Sequence, residues 1–155
     1  MQTDYTHATV KHPIPGSKIA ILQASWHEEH TNRMVEACAA ILTSAKCDQV
    51  DHFKVPGSYE LPLAAKRLAK LKRYDALVVV GAIVKGDTDH YKVILETCIR
   101  EIGRVMYEFE IPIIMEILPV HKIEDLISRT QGFHNKGIEA AMAAIETIHW
   151  HRSIK

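Results

Sequence analysis

The chain has 155 residues, and its 19 Lys and Arg balance 19 Asp and Glu for a formal net charge of zero. That length suits one domain able to bury roughly 68–70% of its unfolded surface, and with 47% apolar residues it needs no metal or disulfide staples. Balanced charge argues against a nucleic-acid partner, and the longest apolar run, Ala76 to Val84, falls well short of the roughly 20 residues a membrane-spanning helix needs.

The opening residues 1–17 combine Pro13, Pro15 and Gly16 with scattered polar groups. They read as an extended arm outside the core of a domain covering 18–155. No apolar stretch of the signal-peptide kind precedes that domain. Cys38, Cys47 and Cys98 are odd in number and lack a CxxC pair, which suits reduced thiols. A cytoplasmic location is therefore expected.

Lys18 to Ser25 predicts a short strand. Met34, Cys38, Ile41 and Leu42 then recur at helical spacing, which predicts a helix from Glu28 to about Ala45. Val50 to Val55 alternates with period two and is broken by Pro56-Gly57. Leu63 to Lys72 forms a basic amphipathic helix started near Pro62. Ala76 to Val84 is the clearest strand, apolar on both faces as a central strand must be. Gly86-Asp87-Thr88 ends it, and a long helix follows from His90 to Phe109. Ile111 to Leu118 predicts a fourth strand, with further helices over Ile123 to Arg129 and Asn135 to His149. Four alternations of strand and helix imply a parallel sheet covered by helices on both faces.

In such sheets ligands bind beyond the carboxyl ends of the strands. Three segments meet that condition: residues 24–27, 55–60 and 81–90. In the last, a helix N-terminus offers unpaired N–H groups that suit phosphate, with Gly86 for close approach, Thr88 for a hydroxyl and Lys85 for charge. The same residues also suit an ordinary turn capped by Asp87, Thr88 or Asp89. His90, in the first helical turn, is placed to move protons. Trp26 either stacks on a planar ring or covers the core. Glu60 either accepts hydrogen bonds from a polyol or is merely solvated, and the same two roles, with phosphate in place of the polyol, are open to Arg129. His27 and His30 lack the spacing of a zinc motif, and His149 and His151 fall in an expected frayed tail, so no metal site is predicted.

Three strings extend the argument. VPGSYELP, starting at Val55, resembles the V-P-G-A/S-F/Y-E-I/L-P segment of the 6,7-dimethyl-8-ribityllumazine synthase family. GAIVKGDTDHY, from Gly81 to Tyr91, resembles its phosphate turn, and NKGIEAAMAAIE, from Asn135 to Glu146, resembles its last helix. The likeness runs from about Lys18 to the C-terminus. It implies a single-domain, three-layer α/β/α fold with four parallel strands in the flavodoxin-like order. It also implies a homo-oligomer built from pentamers, two small-molecule substrates and no cofactor.

Residue by residue, the resemblance sets Trp26 against a pyrimidine ring, and Ser58, Tyr59 and Glu60 around that ring and its ribityl chain. Ala82, Ile83 and Val84 match a strand end whose backbone touches the same substrate. Asp87 and Thr88 match the phosphate turn, His90 the proton-transfer residue and Arg129 the phosphate-binding arginine. Met115 falls where a neighbouring subunit usually supplies an aromatic. Some features depart from the common pattern: Trp26-His27 resembles the second type of the enzyme, Glu116 replaces a glycine, and the 129–136 segment is one residue short. The implied reaction condenses 5-amino-6-(D-ribitylamino)uracil with 3,4-dihydroxy-2-butanone 4-phosphate. The alternative is a non-catalytic flavin- or lumazine-binding protein, or a shell-forming scaffold, on the same fold.

Overall fold

The computed structural model describes residues 9–155. Four strands, β1 (Lys18–Ala24), β2 (Gln49–Val55), β3 (Ala76–Val84) and β4 (Ile113–Val120), form one parallel sheet in the order β2-β1-β3-β4. Five α-helices accompany them: α1 (Glu28–Ser44), α2 (Leu61–Lys70), α3 (His90–Phe109), α4 (Ile123–Arg129) and α5 (Lys136–Ser153). The expected three-layer α/β fold and its flavodoxin-like strand order are both present.

β3 lies between β1 and β4, and every residue from Ala76 to Ala82 is buried. A strand covered on both faces has no place for a polar side chain, which is why this stretch is almost continuously apolar. Alternation then sorts its side chains between two cores. Val78, Val80 and Ala82 join Ile19, Ile21, Leu118 and Val120 beneath α1, α4 and α5. Leu77 and Val79 join Ala20, Leu22, Ala24 and Ile117 beneath α2 and α3.

Three expectations need correction. Pairing of β4 with β3 begins at Ile113 and continues to Val120, so the strand sits two residues later than the predicted Ile111 to Leu118. α5 continues through His149 and His151 to Ser153, because long-range contacts hold that end: His149 stacks on His12 with ring centres 3.8 Å apart. The described part of the expected arm, residues 9–17, contains no helix or strand, yet Ile14 is fully buried in the α1/α5 core and its N–H donates to Ala45 O at 2.8 Å. That end of the segment therefore belongs to the core. The rest of the arm lies outside the described residues.

Candidate functional site

The carboxyl ends of β1, β2 and β3 open onto one cavity of about 520 Å³. In β1 and β2, Ala24 is paired with Val55, and Ser25 N–H donates to Val55 O at 2.9 Å. That register sets Trp26 beside the turn at residues 56–60. The turn is tight: Glu60 N–H donates to Gly57 O at 3.2 Å, and residues Ser58–Glu60 form a single 3-10 turn leading into α2. A side chain at Gly57 would crowd both neighbours, since its Cβ would lie 3.0 Å from Glu60 Oε2 and 3.4 Å from Trp26 Cδ1. The indole and the carboxylate therefore share one wall.

Trp26 is 69% exposed, so it does not cover the core. Its free face is available to a planar ligand. Ser58 is buried, and its hydroxyl has no hydrogen-bond partner among the described residues. Buried polar atoms rarely stay unpaired, which marks this oxygen as one a ligand could satisfy. The turn is held from behind by Cys98 of α3, whose thiol donates to Ser58 O at 3.2 Å. Burial, with a smaller contribution from the negative charge of Glu60, raises the pKa of that thiol and keeps it protonated as a donor.

The third side of the cavity is the junction of β3 and α3. Lys85 N–H donates to Val120 O at 2.8 Å, which holds the chain leaving β3 against the end of β4. Residues 85–89 then turn in the open, and His90 is the first residue of α3. No side chain of the turn caps the helix at Asp89, but the Thr88 hydroxyl accepts the His90 N–H at 3.3 Å. The Lys92 and Val93 N–H groups donate to Asp89 O, so what the start of α3 offers an anion is the Tyr91 N–H and the positive end of the helix dipole.

Nine of the residues that the family resemblance assigned to the site line this cavity together: Trp26, Ser58, Tyr59, Glu60, Ala82, Ile83, Val84, Thr88 and His90. Three do not. Asp87 is exposed in the turn but outside the lining. Met115 packs against the core beneath α2 and α3, and Arg129 ends α4 with its Nη1 at 3.5 Å from Pro119 O. His27, Gly57 and Gly86, which lie within the three segments singled out after the strands, also line the cavity, as do Tyr91 and Ile94, to which sequence reasoning gave no role. Tyr91 and Ile94 had a readable signal, since both fall within about a turn of His90 on the same helix. His27 was placed by the segment after β1, but its left-handed backbone (φ 61°) left no mark in the sequence.

A parallel α/β sheet with a largely apolar cavity past its strand ends, one aromatic wall and a helix N-terminus defines a class. It is a small-molecule-binding protein suited to a planar, polyhydroxylated or anionic ligand. Comparison with known proteins narrows the class. Residues 16–152 match the family model described as 6,7-dimethyl-8-ribityllumazine synthase, and the chain belongs to that family. The protein of that name from Deinococcus radiodurans is 37% identical over 142 residues, covering 89% of this chain and 91% of its own. Those from Stenotrophomonas maltophilia and Prochlorococcus marinus are each 34% identical over 135 residues, covering 85% and 83% of this chain and 87% and 85% of their own.

Proposed function

We propose that the chain condenses 5-amino-6-(D-ribitylamino)uracil with 3,4-dihydroxy-2-butanone 4-phosphate, giving 6,7-dimethyl-8-ribityllumazine with release of phosphate and water. The observation that carries this reading is the convergence of an aromatic wall, an unpaired buried hydroxyl and a helix N-terminus on one cavity of about 520 Å³. The pyrimidine lies against Trp26, with Ser58, Tyr59 and Glu60 and the backbone at Ala82, Ile83 and Val84 around its polar edge and ribityl chain. The phosphate lies at the start of α3, near Asp87 and Thr88. The primary amine attacks the ketone and expels water to form a Schiff base, phosphate leaves, and the ribitylamino nitrogen closes the ring on the remaining carbonyl with loss of a second water. Amine and ketone react without a metal or organic cofactor, so the protein's main contribution is to hold them together. His90, beside both, moves protons.

Met115 and Arg129 enter this scheme from a neighbouring chain. A homo-oligomer built from pentamers accounts for their absence from the cavity of a single chain. It also accounts for the apolar groups that α2 and α3 leave in the open: Leu63, Val93, Ile99, Met106 and Tyr107 are all exposed, Tyr107 to 88%. No helix among the described residues is long and apolar enough to cross a membrane, and a cytoplasmic location fits a pair of small polar substrates. The test is direct. The full-length chain is mixed with both substrates, and the lumazine is followed by its absorbance and green fluorescence. Product formed in proportion to enzyme supports the reading; lumazine binding without turnover overturns it in favour of a carrier or scaffold.

A further inference from the structure

The corner between β1 and α1 carries Trp26 and His27, both of which line the cavity. It is an awkward place for the backbone. His27 has φ 61°, a left-handed conformation that is uncommon for a residue with a Cβ and needs support from its surroundings. No side chain caps the helix at this residue. Something else must hold the corner.

The supporting group sits one turn inside. Gln23, fully buried near the carboxyl end of β1, is an amide among otherwise apolar buried residues of that strand. Its Nε2 donates at 2.9 Å to Thr31 Oγ1 and at 2.9 Å to Asn32 Oδ1, both in the second turn of α1. Its Oε1 accepts from His52 Nε2 on β2 at 2.8 Å. A carboxamide oxygen can only accept, so the imidazole is the donor. Burial, with Lys54 contributing less, holds the His52 imidazole below its ordinary pKa. Thr31 closes the chain of contacts. Its N–H donates to His27 O at 3.1 Å and its hydroxyl lies 3.5 Å from the same oxygen, where His30 N–H also donates at 3.0 Å. Every hydrogen-bonding group of the Gln23 amide is thus used, and α1 is fixed to β1 and β2 at the point where the left-handed residue begins. A satisfied buried network of this kind rigidifies what it touches.

We infer that Gln23 is a positioning residue for the reaction: acting through Thr31 and Asn32, its buried amide fixes the Trp26-His27 corner and so the wall against which the pyrimidine rests. Its catalytic consequence rests on the reading of the cavity given above, whereas its effect on the corner does not. An apolar residue would serve packing at this point in the strand at least as well, and would leave the corner unsupported.

The experiment uses the full-length chain with Trp150→Phe, so that Trp26 is the one remaining tryptophan. Gln23→Met and Thr31→Val remove the link, and Thr31→Ser restores the hydroxyl. Without substrate, the first two should shift the emission maximum of Trp26, and Thr31→Ser should not. In turnover, Thr31→Val, which removes one buried hydrogen bond, should raise KM for the ribitylaminouracil about tenfold, and Gln23→Met, which removes all the side-chain bonds of the amide, by at least as much. KM for the butanone phosphate and kcat should stay within about twofold. If Gln23→Met does not fold, the Thr31→Val and Thr31→Ser pair decides. Folded variants with unchanged emission and unchanged KM overturn the inference, as does a loss shared equally by both substrates. A parent chain without turnover counts against the proposed reaction, and the substrate-free emission then still decides whether Gln23 fixes the corner.

Discussion

The proton-moving role proposed for His90 fits its place as the exposed first residue of α3, with no side-chain hydrogen bond of its own among the described residues. His90→Ala should lower kcat by no more than the ~10²–10⁴ that general acid–base catalysis contributes, because proximity survives the substitution. Steady-state kinetics on the folded variant checks this. Complete loss with substrate binding intact would give His90 a larger role than proton transfer. Glu116 is the opposite case, a carboxyl group half-buried among other titratable groups. It extends from β4 toward α1 and α5, where Glu139 and Lys136 pair at 2.6 Å and Cys38 lies fully buried. Burial first, and Glu139 second, raise its pKa from an ordinary 4.5 to about 7, against the pull of Lys136. The folded state therefore holds this proton more tightly than the unfolded state. The stabilisation is complete below about pH 4.5 and is lost as pH rises through about 7, a swing of about 3 kcal/mol. Glu116→Gln should flatten that part of the stability curve and raise the denaturation midpoint at pH 8. An unchanged pH profile in urea titrations would contradict it.

Among the elements, α1 and α5 show how one residue fixes a helix pair. Asn135 caps α5 by accepting Gly137 N–H at 2.8 Å and donates to Arg33 O at 3.0 Å, which draws the start of α5 onto α1. A Cβ at Gly137 would overlap the Met34 carbonyl, and backbone cannot swing aside as a side chain can. Gly137→Ala should therefore lower stability by about 1–3 kcal/mol, the cost of overpacking, despite alanine's better helix propensity. A denaturation midpoint at or above wild type would show that the helices separate freely. At this scale much was legible from the sequence. Ala76 to Val84 reads as a central strand because only burial on both faces tolerates its composition, and the segments after the strands converge because parallel strands end together. The start of β4 was not legible. Ile111 and Pro112 are as apolar as the strand, and only the pairing of Leu77 with Ile113 shows where it begins. The helical turns around His149 were hidden for a similar reason, since His12, which stacks on His149, is far away in the chain. The network of Gln23 joins three elements and left no pattern in any one of them.

On the proposed reading, a single chain builds only part of its own site. Trp26, Glu60, Thr88 and His90 meet in one cavity, while Met115 and Arg129 remain outside it. In the proposed ring, each chain would lend those two residues to its neighbour, completing every cavity and covering the apolar surface of α2 and α3. His90→Ala and Arg129→Ala then damage different halves of each site. The decisive measurement is lumazine formation by the two variants, first each alone and then after they are unfolded together in equal amounts and reassembled. Each variant alone should be poor. Random mixing should return about a quarter of the sites to wild-type composition, because each site draws on two adjacent chains, and activity should rise to that level. Mixed assemblies no more active than the average of the two parents, with subunit exchange confirmed by mass spectrometry, would contradict a catalytic cavity shared between neighbours.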